Sequence, residues 1–161
     1  MRGDIYPAPY RGNIGLFGTY YLLLRDKHGN VKFRRKQKNL ITSAGENLTA
    51  TRMNYAGGAP AVPQYIAFGT DSTAADKADT ALGAEFVTAR TAAGAGTTTL
   101  NLLHLEFTVV PAITMANVAE VGVFNALTVG TMFSRTVLSP FSMGTSDSLA
   151  VVWELTFEGV A

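Results

Sequence analysis

The chain holds two histidines, twelve carboxylates and no cysteine. His28 stands in a Gly-Asn turn and His104 in a β-forming run, without the close spacing of a metal-binding histidine pair. His104 and Glu106 are two residues apart, which puts them on one face of a strand within reach of proton exchange. The same spacing suits a surface pair with no catalytic part. Glu85, Glu106, Glu120 and Asp147 could supply two acids for glycoside hydrolysis, but no spacing singles out a pair. The stretch GNIGLFG (12–18) looks like a phosphate loop, yet it leads into a strand and not a helix, so no helix N-terminus would hold the anion. Lack of cysteine excludes disulfides, thiol catalysis and Cys-ligated zinc, and is compatible with folding in a reducing cytoplasm. No metal, cofactor or enzymatic activity is expected. The ionic residues that stand out are Glu120 and Arg135, on two β-rich runs around a short break. They form a candidate structural ion pair; Arg135 with Glu85, or two exposed strand ends, are the alternatives.

The element that would position them is the stretch 120–140, EVGVFNALTVGTMFSRTVLSP. Val121 and Val123 lie in one β-rich run, and Met132, Phe133, Thr136, Val137 and Leu138 in another. The polar, Gly-closed break 125–130 makes this a hairpin. Upstream, Tyr20–Arg25 and Val31–Gln37 read as strands joined by Asp26-Lys27-His28-Gly29-Asn30. Ser43-Ala44-Gly45-Glu46 fits a capping box, so a helix is expected to start there and to end by Asn54–Pro60. Tyr65–Phe68 reads as a short buried strand, with a polar loop after Gly69 and a helical turn capped by Asp79. Glu85–Thr91 is an expected strand, Gly94 and Gly96 mark a turn, and Thr97–Val110 is one long β-rich run ended by Pro111. Leu149–Phe157 closes the chain. Its alternation places Trp153 on an apolar face, where core packing is the plain reading and stacking on a sugar, with Tyr65 and Phe68, the functional one. Short strands at regular spacing with Gly turns and one helix predict a mainly β fold, an antiparallel β-sandwich of jelly-roll-like type. One domain over 19–161 follows an extended N-terminal arm over 1–18.

That arm has two prolines and four glycines. Ile5, Tyr6, Tyr10, Leu16 and Phe17 would be poorly solvated alone, so the arm is a candidate partner contact. Charge is divided along the chain. Residues 1–52 hold ten Lys/Arg against three acids, and residues 53–161 three against nine. Opposite-signed regions can attract one another within a chain or between copies. Arg34, Arg35 and Lys36 sit in the most basic run, VKFRRKQK. It reads as a solvated edge strand guarded by cations, or as a contact with an acidic partner. Nucleic acid is the weaker partner, since only Phe33 interrupts the run as a stacking candidate. No apolar run approaches the roughly 20 residues that span a bilayer, and no apolar segment near the N-terminus resembles a secretory signal.

The order of several short stretches carries a resemblance. They are NLITSAG (39–45), YIAFGT (65–70), TALGAE (80–85), EVGVFN (120–125), GTMFSR (130–135) and DSL (147–149) before a Trp-containing strand. Over residues 38–157 this resembles a group of small tailed-bacteriophage structural proteins described as tail-fibre-like or tail-collar-fibre-like. Asp71 replaces a second glycine usual there, Val123 a leucine, and Thr128-Val129-Gly130 a Ser-Gly-Gly. The resemblance implies a non-enzymatic virion subunit associated with the tail or fibre. Such a subunit would be assembled in the host cytoplasm as a homo-oligomer, a trimer by analogy, and docked on other virion proteins through its arm. A capsid decoration (cement) protein is the alternative, and a host-glycan-binding module a further one.

Overall fold

The computed structural model describes residues 13–53, 61–88 and 90–160. Ile5, Tyr6 and Tyr10 of the expected arm, and the expected helix end at Asn54–Pro60, lie outside the described residues. The elements run β1 (Asn13–Arg25), β2 (Val31–Ile41), α1 (Ser43–Met53), β3 (Tyr65–Gly69), β4 (Thr91–Ala92), β5 (Ala95–Thr99), β6 (Leu102–Val109), β7 (Met115–Phe124), β8 (Met132–Met143) and β9 (Ser148–Val160). The strands make one antiparallel sheet, ordered β4-β3-β7-β8-β2-β1-β9-β6-β5. The fold is mainly β with one short helix, and the sheet curls on itself as a half-barrel.

Two corners produce the curl. β2 pairs with β1 from Val31 to Asn39, but meets β8 only at Leu40↔Arg135 and Ile41↔Ser134. Beyond that point β2 and β8 diverge, bridged by side chains: Thr136 Oγ1 donates to the Lys38 carbonyl and an Arg35 N–H to that of Ser139. At the other margin the Ala93 N–H donates to Gln64 O and the Gly94 N–H to Glu106 O. Two residues thereby carry the chain from β4 to β5, the two ends of the sheet.

Period-two alternation sends Tyr20, Leu22 and Leu24 of β1 inward with Leu149, Val151, Trp153 and Leu155 of β9. They share one core with Ile66 and Phe68 of β3, Val121 and Val123 of β7, and Phe133 of β8. Trp153 is fully buried, edge-on to Phe133 at 5.5 Å. The core reading of Trp153 therefore holds, and with Phe68 also buried, neither ring is free to stack on a sugar. Tyr20 is buried too, and its hydroxyl meets Ser134 Oγ at 3.0 Å across the core.

Several expectations are corrected. The strand expected from Tyr20 starts at Asn13, so Leu16 and Phe17, placed in the arm, belong to β1 and pair with β9. The helix cap is Thr42, not Ser43. Thr42 Oγ1 accepts the Gly45 N–H at 3.0 Å and donates to the Met132 carbonyl at 2.7 Å. Glu46 does not reach back; it takes Lys77 Nζ instead. Asp79 caps no helical turn, because its carboxylate serves Asp76 N–H and Arg135. Glu85–Thr91 is not a strand. Beyond the single bridge Gly69↔Glu85 the chain turns at Phe86–Thr88, and regular pairing resumes only at Thr91. The long run 97–110 is a hairpin, reversed at Leu100, which adopts φ 54°. β2 is not an edge in sheet order, although its Val31–Asn39 stretch has a backbone partner on one side only.

Candidate functional site

β7 and β8 lie antiparallel with Gly122 opposite Arg135 and Val123 opposite Ser134. Val121 and Val123 point into the core, so Glu120 and Arg135 project from the other face of the sheet. Arg135 Nε donates to Glu120 Oε2 at 2.9 Å, and the two side chains are 3% and 0% exposed. The expected pair exists, and it is the centre of a larger cluster. Arg135 also donates to Asp79 Oδ2 at 2.8 Å and Asp71 Oδ2 at 3.0 Å. Glu120 accepts the backbone N–H groups of Gly83 at 3.1 Å, Ala84 at 2.8 Å and Asp71 at 3.3 Å. Residues 70–84, which have no regular structure, are thereby tied over the sheet. A buried carboxylate needs this many donors, since desolvation of an unpaired one is prohibitive.

Glycines make the fit. A Cβ on Gly69 would lie 2.3 Å from Glu120 Oε1 and 2.5 Å from the Ala84 carbonyl, and one on Gly83 would lie 2.0 Å from Asp71 Oδ2. Burial works against the Arg135 charge, but the hydrogen bonds it donates to Glu120 and Asp79 outweigh it and raise its pKa. The Asp71 carboxyl is held below its ordinary value by the Thr73 N–H and hydroxyl, with Arg135 adding to them.

A second arginine does similar work nearby. Arg90 forks onto Glu85 at 2.8 and 3.0 Å. It also donates to the carbonyls of Ala126 and Val129 in the β7–β8 loop, and lies 3.5 Å over the Phe124 ring. Glu85 thus pairs with Arg90 and not with Arg135. Sequence reading missed Arg90, Asp71 and Asp79. Only the Gly69-Thr70-Asp71 departure hinted that this loop was unusual.

Among the described residues, no three His/Asp/Glu side chains are placed to hold a metal. His104 lies on the outer face of β6, with Glu106 at 3.0 Å and Glu154 of β9 at 3.4 Å. This is an open surface cluster.

The basic run resolves into two faces. Phe33, Arg35, Gln37 and Asn39 turn inward, with Arg35 over the rings of Phe33 and Phe141. Arg34, Lys36 and Lys38 turn outward. Beside them an open groove of about 570 Å³ is lined by Tyr21, Leu23, Arg34, Lys36, Ala150 and Val152. Of the arm candidates, Phe17 is 51% exposed on β1 and Leu16 packs against the core.

No protein-family model matches the chain, and comparisons with curated proteins and with solved structures give no match.

Proposed function

We propose that this chain is a non-enzymatic structural subunit of a tailed-bacteriophage virion, associated with the tail or fibre. It works as a homo-oligomer, a trimer by analogy with the group it resembles, and docks on neighbouring virion proteins through residues 1–12. The curled sheet serves as a β-sandwich of jelly-roll-like type. One observation carries the reading. Three of the stretches behind the resemblance, YIAFGT, EVGVFN and GTMFSR, converge in space on the Arg135 cluster. Gly69 leaves the room, Glu120 the buried anion and Arg135 the cation, while Gly83 from a fourth stretch completes the loop contact. The cluster orders an irregular loop, as a particle subunit that must stay folded requires.

The test uses purified particles. Mass spectrometry should find the chain in them, and antibody labelling should mark the tail. Deleting residues 1–12 should abolish incorporation and leave the circular dichroism of the isolated chain unchanged. A chain absent from particles overturns the proposal. Label on the capsid face overturns the tail placement in favour of a decoration protein. Normal incorporation of the deletion overturns the anchoring role.

A further inference from the structure

The outer face of β2-β1-β9-β6 has an order that its strands fix row by row. Tyr21 pairs with Lys36 on one side and Val152 on the other, and Val152 pairs with Glu106. One row across the face therefore reads Lys36, Tyr21, Val152, Glu106. The row above reads Arg34, Leu23, Ala150, Thr108, and the row below Lys38, Thr19, Glu154, His104. The result is a cationic column on β2, an apolar seam at Tyr21, Leu23, Ala150 and Val152, and two carboxylates on the far side, Glu106 of β6 and Glu154 of β9, with His104 between them. Lys36 Nζ lies 5.1 Å over the Tyr21 ring, and Glu106 Oε1 lies 3.0 Å from His104 Nε2 within the face. No element of the described residues covers the groove along the seam.

We propose that this face is the contact between two copies of the chain, related by a two-fold axis that runs parallel to the strands between β1 and β9. The charge pattern selects both occupant and axis. Rotation about that axis lays β2 of one copy over β6 of the other, and β1 over β9. Lys36 then faces Glu106 twice, and Tyr21 and Leu23 cover Val152 and Ala150 twice. A two-fold axis across the strands would instead lay β2 on β2 and set cations against cations. A partner with a uniformly acidic surface would suit the β2 column and clash with Glu106 and Glu154. A surface that carries cations and carboxylates in the opposite order across an apolar seam matches both sides, and the chain itself supplies one: Lys36 of one copy meets Glu106 of the other, and Lys38 lies one strand from Glu154.

The size is suitable. Four strands at about 4.8 Å and the length from Phe17 to Arg25 at about 3.4 Å per residue give roughly 600 Å² of sheet before side-chain relief. A standard interface takes about 800 Å² of accessible surface from each partner. Packed sheets stand about 10 Å apart, a gap that a Lys and a Glu reaching toward each other close. The contact goes beyond the proposed virion role and is independent of any three-fold association made through other surfaces.

The test is the mass of the purified full chain in solution, by light scattering at low salt. The expected mass is twice 17.1 kDa, or an even multiple of it. Lys36→Glu sets Glu against Glu106 twice, and Glu106→Lys sets Lys against Lys36 twice. Each alone should weaken pairing by roughly tenfold or more, since like charges brought together are costly. Mixing the two variants should restore pairing, because both contacts are then attractive. Val152→Arg should abolish it. These positions are on the surface, and circular dichroism confirms that each variant folds. A monomer overturns the proposal, whether the face is bare or covered by residues 1–12. So does an oligomer indifferent to all three substitutions, or a mixture that fails to restore pairing. None of these outcomes depends on whether particles contain the chain.

Discussion

At the scale of single residues, Arg135 answers to three carboxylates, and Glu120 would be left buried without it. Arg135→Met should therefore destabilise the chain by about 3–5 kcal/mol, read as a lower urea midpoint. Glu120→Gln combined with Arg135→Met keeps an acceptor for Gly83 and Ala84 and strands no charge at position 120. The double variant should lose less than Arg135→Met alone, and a double variant that loses as much would refute the charge argument. Tyr20 tests the core from the other end of the pH scale. Burial pushes its phenol well above the ordinary 10.0, only partly opposed by the hydrogen bond to Ser134. Above that ordinary value the unfolded chain sheds the proton while the folded chain keeps it. Stability is thus full below about pH 10 and falls as pH rises toward the folded value, by roughly 1.4 kcal/mol per unit for one group. Tyr20→Phe should cost about 0.5–1.5 kcal/mol at pH 7 and flatten that alkaline decline in urea titrations. An unchanged alkaline limb would assign the decline to other groups. The Glu120–Arg135 pair was legible because both residues fall on one hairpin. Asp71 and Asp79 were not, because a loop folded back over a sheet leaves no periodic mark in sequence.

At the scale of elements, α1 depends on a hydroxyl one residue before the one its sequence advertises. Thr42 both caps the helix and ties it to the start of β8, through the Met132 carbonyl. Thr42→Ala should cost about 0.5–2 kcal/mol, whereas Ser43→Ala should be nearly neutral in the same thermal melts. Equal losses would return the cap to Ser43. The capping box misled because Lys77 captures Glu46, a contact 31 residues away. Turn residues misled in part. Gly94 does stand at the corner between β4 and β5, but the reversal inside 97–110 uses Leu100 in the left-handed region, where no residue type signals it. β9, whose apolar residues alternate, was read within three residues of its bounds, while β1 was read only from Tyr20 onward. Alternation reports burial on one face, but it carries no information about which strands are neighbours. That is why the mainly β class was legible, and the strand order and the curl were not.

At the scale of the whole molecule, strand order decides how the chain comes apart. β1 lies between β2 and β9, so the first and last described strands sit side by side within one half of the sheet. The other half, β4-β3-β7-β8, is drawn from the middle of the chain, and its inner face is covered by that first half. Neither half can bury its apolar face alone, and the two share one core through Phe133 and Trp153. Unfolding should therefore be a single cooperative step. Trp153, the one tryptophan, stands on β9 against Phe133 of β8 and so reports the junction of the halves, while far-ultraviolet circular dichroism reports all the strands. Urea curves from the two probes should superimpose. Tryptophan fluorescence that changes at lower urea than the circular dichroism would mean that the halves part first and that the middle of the chain persists as a folded unit. With so many pairings between residues distant in sequence, refolding should fall in the slow range of about milliseconds to seconds, with the same rate from both probes, because closing β1 onto β9 requires the chain ends to meet before either half is covered.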